Sequence, residues 1–116
     1  MLRVLIIDDE EDTLLLLKTI LQRKGFEVNT VSTGRYAVNA ATEYKPDVVL
    51  LDIKLDEPYD GRDICRELKA NEHTRNSKIF LCSAHVTKTR NNLYNEDGFI
   101  QKPFDINAVV EKINCN

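Results

Sequence analysis

Short, continuous runs of apolar residues alternate along the chain with segments of helical periodicity. Four of these runs cover residues 4–7, 48–51, 79–82 and 99–100. Runs that are apolar at every position are typical of parallel strands that are buried on both faces. A weaker alternation over residues 27–32 indicates one more strand between the first two. We therefore expect five parallel strands.

Between these strands, apolar residues recur every three or four positions, which predicts helices with one buried face. The first helix is expected to end at Gly25 and the second at Pro46. A third begins at Gly61, and a closing amphipathic helix begins after Asp105, a residue type that caps helix N-termini. The apolar positions of the four helices are Leu14, Leu17, Ile20 and Leu21; Tyr36, Ala37, Ala40, Ala41 and Tyr44; Ile64, Cys65 and Leu68; and Ile106, Val109, Val110 and Ile113.

The alternation of strands and helices predicts the architecture. Strands joined by helical crossovers run parallel, with right-handed connections. Five such strands favour a doubly wound α/β sheet of order 2-1-3-4-5, flavodoxin-like, with helices on both faces. The connection at residues 84–97 is the least periodic, and we expect a short helix around Leu93 there. We expect residues 1–116 to form a single domain.

Composition and charge limit the functions open to this domain. The net charge is −3 and no basic cluster is present, which argues against direct nucleic-acid binding. No apolar run approaches the ~20 residues of a membrane span, and the N-terminus turns acidic too early for a signal peptide. We therefore expect a cytoplasmic domain without a membrane partner. The three cysteines lack metal-type spacing, and Cys65 and Cys82 are expected to be small buried residues.

Polar residues follow four of the five predicted strands. Asp8 and Asp9 come after the first strand, and Asp52 comes after the third. Ser83 follows the fourth strand, and Lys102 lies at the end of the fifth. Ligands of open α/β sheets bind at the carboxyl ends of the strands. We therefore expect these five side chains to meet at one edge of the sheet.

The three acids of this group predict a divalent-cation site. Two carboxylates about 4 Å apart repel each other by roughly 4 kcal/mol at an effective dielectric constant near 20. A hard cation removes this repulsion, and oxygen ligands suit Mg²⁺. Asp52 is then free to act as a nucleophile toward phosphorus, with Ser83 and Lys102 as hydrogen-bond donors to the phosphoryl oxygens. Each residue alone has an ordinary explanation, so the combination carries the prediction.

The complete set resembles the receiver domain of two-component response regulators, the CheY-like family, along the whole chain. The residues that carry this resemblance are Asp8-Asp9, Asp52, Ser83 and Lys102-Pro103-Phe104, in this order and strand context. The resemblance implies that Asp52 accepts a phosphoryl group from a histidine kinase or a phosphotransfer protein, and that an output partner detects the change. It also implies a signalling protein that catalyses only its own phosphorylation and dephosphorylation.

For the metal, the resemblance implies three direct oxygen ligands. Asp9 and Asp52 would bind Mg²⁺ through their carboxylates and Lys54 through its backbone carbonyl, while Asp8 would contribute through water. Mn²⁺ is expected to substitute for Mg²⁺. Lys54 and His85 each lie two residues past a site residue, and we expect them to influence how long the phosphoryl group lasts.

For the phosphoryl group, the resemblance implies contacts from Ser83 and Lys102 and a cis Lys102–Pro103 peptide bond. It also implies a switch, in which the Ser83 hydroxyl moves toward the phosphoryl group and Phe99 turns inward. The alternative for Phe99 is a permanently buried strand residue.

Two loops depart from the usual family pattern. Residues 52–61 are one residue longer than is common, with Pro58 displaced and Asp56-Glu57 as an extra acidic pair. We therefore expect an unusual loop shape beside the metal. Residues 83–102 are shorter by about three residues, roughly one helical turn, so a dimer through the fourth family helix is not expected to carry over.

Three other functions compete with this interpretation. A flavin-binding domain of the same topology needs a loop rich in Ser, Thr and Gly after the first strand, where residues 8–12 are acidic. A phosphohydrolase of the haloacid dehalogenase type needs a second Asp two residues after the first, where Lys54 stands. A degenerate receiver that serves only as a docking surface would not need the complete set of acids, hydroxyl and lysine.

Overall fold

A computed structural model of the protein describes residues 1–84 and 93–114. Its five strands form one parallel sheet in the order β2-β1-β3-β4-β5, which confirms the predicted order. The strands are β1 (Arg3–Ile7), β2 (Glu27–Val31), β3 (Val48–Asp52), β4 (Lys78–Ser83) and β5 (Gly98–Gln101).

Helices cover both faces of the sheet, as predicted. Within the described residues they are α1 (Glu11–Arg23), α2 (Ala37–Tyr44), α3 (Gly61–Ala70) and α4 (Ile106–Asn114). The buried residues of α1 and α4 pack in one cluster and those of α2 and α3 in a second. Alternate residues of β1 divide between the two clusters, with Ile6 in the first and Leu5 in the second. The sheet is therefore buried from both sides, which explains its continuous apolar runs.

The helix boundaries follow local chemistry. Gly25, with φ of 96°, takes the left-handed conformation just after α1. Lys45 also has positive φ and ends α2 before Pro46. Asp105 accepts a hydrogen bond from the Asn107 backbone N–H at 3.0 Å and so caps α4 as expected.

One helix boundary differs from the sequence-based expectation. Tyr36 lies in a 3-10 turn (Gly34–Tyr36) rather than on the buried face of α2, and it is 55% exposed. Thr33 explains the turn, because its side chain accepts a hydrogen bond from the Arg35 backbone N–H. The short helix predicted around Leu93 falls largely on residues 85–92, which lie outside the described residues.

Cys65 and Cys82 are buried, as predicted. Among the helices in the described part of the chain, none is long and apolar enough to cross a membrane.

Candidate functional site

The five polar residues predicted to converge lie together at the carboxyl edge of the sheet. Asp52 and Ser83 are the last residues of β3 and β4, and Asp8 follows β1 directly. Four of the five predicted residues, all except Asp8, border a cleft of about 480 Å³. Its lining residues are Asp9, Glu10, Asp52, Lys54, Leu55, Ser83, Ala84 and Lys102. Parallel topology is the cause, since every strand delivers its final residue to the same edge.

Three carboxylates form the acidic part of this cleft. One oxygen each of Asp8, Asp9 and Asp52 lies within 4.8 Å of the others. Asp8 and Asp52 are buried, at 2% and 6% exposure, whereas Asp9 is exposed. Buried carboxylates this close repel each other strongly unless positive charge compensates them.

Lys102 supplies positive charge to this cluster. Its Nζ lies 2.8 Å from Oδ2 of Asp8 and 3.4 Å from Oδ1 of Asp52. The Lys102 backbone N–H donates to the Ser83 carbonyl at 2.9 Å, which extends the β4–β5 pairing by one residue and aims the side chain at the cleft. Asp8 uses its other oxygen to accept from the Glu10 backbone N–H. Both oxygens of Asp8 therefore have donors.

Burial and the charges in the cleft shift the pKa of Asp52. Burial, followed by the negative charge of Asp8, raises the pKa of Asp52 to about 6, and Lys102 offsets only part of this. Burial alone would lower the pKa of Lys102, but its contacts with Asp8 and Asp52 raise it overall. Around neutral pH Asp52 is thus mainly ionised and Lys102 is charged, the states that a nucleophile and an anion-binding group need.

Gly61 shapes the site from the opposite end of the β3–α3 loop, a role that the sequence analysis did not assign. Its backbone N–H donates to the Ile53 carbonyl at 2.8 Å. A Cβ at this position would lie 2.0 Å from the Asp52 carbonyl oxygen. Only glycine allows α3 to start this close to Asp52. The sequence contains one indication of this role, namely a glycine that begins a predicted helix shortly after an acidic residue at the end of a predicted strand.

The other predicted site residues that the structure describes lie at the rim of the cleft and on or just after β5. Lys54 is exposed at the rim of the cleft, and the Lys102–Pro103 bond is cis. Phe99 is partly buried, pairs with Leu81 across β4 and β5, and packs against the α2–α3 side of the core. His85 lies outside the described residues.

The extra acidic pair does not join the carboxylate cluster. Asp56 instead accepts hydrogen bonds from the Thr33 hydroxyl at 2.7 Å and the Gly34 backbone N–H at 2.9 Å. These bonds, that of Thr33 first, lower the pKa of Asp56. Glu57 is exposed. The unusual loop is therefore bound to the β2–α2 connection rather than to the acidic cleft.

The fold and the site together define a doubly wound α/β domain with an acidic pocket at the carboxyl edge of its sheet. A sequence model of the response regulator receiver domain matches residues 4–114. The chain belongs to that family, and its acidic pocket lies where the strands of the fold end. This membership favours the receiver over the flavin-binding and phosphohydrolase alternatives.

Solved structures share this fold. Chemotaxis protein CheY4 of Vibrio cholerae is similar with a TM-score of 0.89 and 21% identity, over 97% of this chain and 96% of that one. Response regulator TrrA of Thermotoga maritima, solved in complex with Mg²⁺–BeF, has a TM-score of 0.84 and 30% identity, over 97% and 96%. A CheY-like receiver domain from Methanospirillum hungatei JF-1 has a TM-score of 0.86 and 24% identity, over 97% and 90%.

Proposed function

We propose that this domain is a phosphoacceptor switch, in which Mg²⁺-dependent phosphorylation of Asp52 alters a surface that an output partner binds. The main support is the placement of Asp52 beside two other carboxylates and 3.4 Å from the Lys102 ammonium, on an open cleft. The donor would be a histidine kinase or a phosphotransfer protein, and the location cytoplasmic. TrrA, 30% identical, was solved with Mg²⁺ and BeF, which also supports this function.

The donor set of the cleft suits Mg²⁺. Clustered carboxylate oxygens are hard ligands, and one of the three acids is exposed, so the cleft is open to an ion from solvent. Asp9, Asp52 and the Lys54 carbonyl would hold the ion directly. Asp8 already accepts from Lys102 and Glu10, which is consistent with contact through water. When bound, Mg²⁺ neutralises the carboxylates and an incoming phosphoryl group.

The transfer step uses Asp52 as nucleophile. One carboxylate oxygen forms a bond to phosphorus while the P–N bond of the phosphohistidine donor breaks. The electron pair of that bond stays on the imidazole nitrogen, which takes a proton from solvent. Lys102 and Ser83, both on the cleft, donate hydrogen bonds to the phosphoryl oxygens as charge redistributes. Attack of water on phosphorus later returns the Asp52 carboxylate and releases inorganic phosphate.

The switch would pass from the cleft to the surface through β4 and β5. Ser83 pairs with Gln101, and Phe99 lies two residues earlier on β5. Phe99 is only partly buried, so inward rotation of its ring would change the surface that it covers. Movement of Ser83 toward the phosphoryl group is the proposed trigger for that rotation.

Mg²⁺ is expected to stabilise the protein, because an ion that binds only the native state shifts the folding equilibrium by mass action. At about ten times its dissociation constant, Mg²⁺ should add about 1.4 kcal/mol, or roughly 5 °C in melting temperature. The Asp9→Asn variant should lose most of this increase. Thermal unfolding with EDTA and with Mg²⁺ measures the effect.

Asp12→Asn provides the matched control for that experiment. Asp12 belongs to the same acidic run but lies exposed in the first turn of α1, outside the carboxylate cluster. It should retain the full Mg²⁺ effect. Equal melting temperatures of the unmodified protein with EDTA and with Mg²⁺ would contradict the proposed metal site.

A further inference from the structure

The β3–α3 loop, residues 53–60, is fixed by a contact that the function described so far does not use. The Asp56 carboxylate binds two groups of the β2–α2 connection, the hydroxyl of Thr33 and the backbone N–H of Gly34. The partners are 23 and 22 residues away in sequence. Each carboxylate oxygen takes one donor, so the side chain cannot rotate without losing a bond.

Close packing strengthens the same contact. The Tyr59 side chain lies on Gly34 so tightly that a Cβ on Gly34 would be 2.4 Å from Tyr59 Cβ. The Tyr59 backbone N–H donates to the Asp56 carbonyl at 2.9 Å, which closes a turn at the tip of the loop. The tip is therefore held on the β2–α2 connection by hydrogen bonds and by packing.

The other end of the loop is fixed as well, which leaves the Lys54 peptide group between two anchors. Lys54 forms an isolated antiparallel bridge with Asp60. Leu55 is buried in the α2–α3 side of the core, with 7% exposure. Asp56 comes next and carries the two hydrogen bonds to Thr33 and Gly34. The Lys54 carbonyl thus belongs to a segment that is held by the bridge to Asp60, by the burial of Leu55 and by the two hydrogen bonds of Asp56.

We propose that Asp56 is a positioning residue for the metal site. By binding Thr33 and Gly34 it holds the Lys54 carbonyl in the direction required for Mg²⁺, without touching the ion itself. This inference rests on the proposed function, since it requires Mg²⁺ to bind in the cleft. Among the described residues, Asp56 is not part of the carboxylate cluster, so its effect on the metal is indirect.

The test is the Mg²⁺ dissociation constant of the folded protein, measured by calorimetric titration well below the melting temperature. Asp56→Ala removes both hydrogen bonds and should weaken Mg²⁺ binding about tenfold, the usual loss when support of a metal ligand is removed. Asp56→Asn retains an oxygen that can accept from Gly34 and an NH₂ that can donate to Thr33. It should bind Mg²⁺ within about twofold of the unmodified protein, because hydrogen bonds to Thr33 and Gly34 that fix the loop are kept.

Two further variants separate positioning from other effects. Glu57→Ala removes a neighbouring exposed carboxylate and should leave Mg²⁺ affinity unchanged, which controls for long-range charge. Thr33→Val keeps the side-chain shape but removes the bond to Asp56 and the one accepted from the Arg35 N–H. The bond from Gly34 to Asp56 remains, so the loss of Mg²⁺ affinity should be smaller than for Asp56→Ala. This milder variant keeps the test valid if Asp56→Ala fails to fold.

The outcomes distinguish the inference from the proposed function. If the unmodified protein binds no Mg²⁺, the metal site itself is wrong and the inference falls with it. If that protein binds Mg²⁺ and both Asp56→Ala and Thr33→Val bind equally well, only the positioning role is overturned. If Asp56→Asn loses as much affinity as Asp56→Ala, charge rather than hydrogen bonding is responsible, which also overturns it.

Discussion

Replacing Gly61 with Ala is expected to destabilise the domain by about 3–5 kcal/mol, at the upper end of single substitutions. The added Cβ would lie 2.0 Å from the Asp52 carbonyl oxygen, 2.8 Å from its carbonyl carbon and 2.9 Å from the Ile53 Cα. All three atoms belong to backbone, and the Ile53 N–H is hydrogen-bonded to Cys82 of β4. Relief of the clash must therefore move the strand end or the start of α3. Urea unfolding measures the loss.

Gly25→Ala is the matched control for Gly61→Ala. A Cβ at Gly25 would meet nothing within 4 Å, so its only cost is the positive φ of 96°. That cost is about 1 kcal/mol. Gly25→Ala should also retain Mg²⁺ binding, whereas Gly61→Ala should weaken it by displacing Asp52. Equal free energies of unfolding for the two variants would contradict the tight approach of α3 to Asp52.

Replacing Asp52 with Asn is expected to stabilise the metal-free protein at pH 7.5 by about 2–3 kcal/mol, since each pKa unit corresponds to 1.36 kcal/mol. The pKa of Asp52 is about 6 in the folded protein, above its ordinary value of 3.8, because of burial and the charge of Asp8. The folded state therefore holds the Asp52 proton more tightly than the unfolded state. The protonated Asp52 side chain therefore contributes its full stabilisation of the folded state below about pH 4, and this stabilisation is lost as the pH rises through about 6.

Urea unfolding in EDTA between pH 4 and pH 8 measures this effect. The unmodified protein should lose stability relative to Asp52→Asn across that range. Mg²⁺ at about ten times its dissociation constant should narrow the difference at pH 7.5 by about 1.4 kcal/mol, because it stabilises only the protein that retains the Asp52 carboxylate. Parallel pH profiles for the two proteins in EDTA would show that the cleft imposes no electrostatic cost on Asp52.

Much of the fold was predictable because the sheet is buried on both faces. Residues 4–7 and 48–51 are apolar at every position, which helices at the surface seldom show. Strand β2 was harder to find, since it lies at the edge of the sheet and Val28 is the one residue buried in it. Tyr36 was misplaced because aromatic periodicity does not reveal that the Thr33 side chain sets a 3-10 turn before α2.

The candidate site was predictable to the extent that it depends on topology. Asp8, Asp52 and Lys102 converge because parallel strands end at one edge, a consequence of the strand order alone. The binding of Asp56 to Thr33 and Gly34 depends on how two separate loops pack, and no local pattern encodes that. The requirement for glycine at position 61 likewise arises from the distance between α3 and β3, which appears only in three dimensions.

The central claim is that Asp52 accepts a phosphoryl group in a metal-dependent cleft. Its most direct test is intact-protein mass spectrometry after incubation with acetyl phosphate, with Mg²⁺ and with EDTA, followed by fragmentation to locate the modification. The proposed function predicts a mass increase of one phosphoryl group with Mg²⁺ only, located on Asp52 and absent from Asp52→Asn. An unmodified mass under all conditions, or equal labelling of Asp52→Asn, would contradict it.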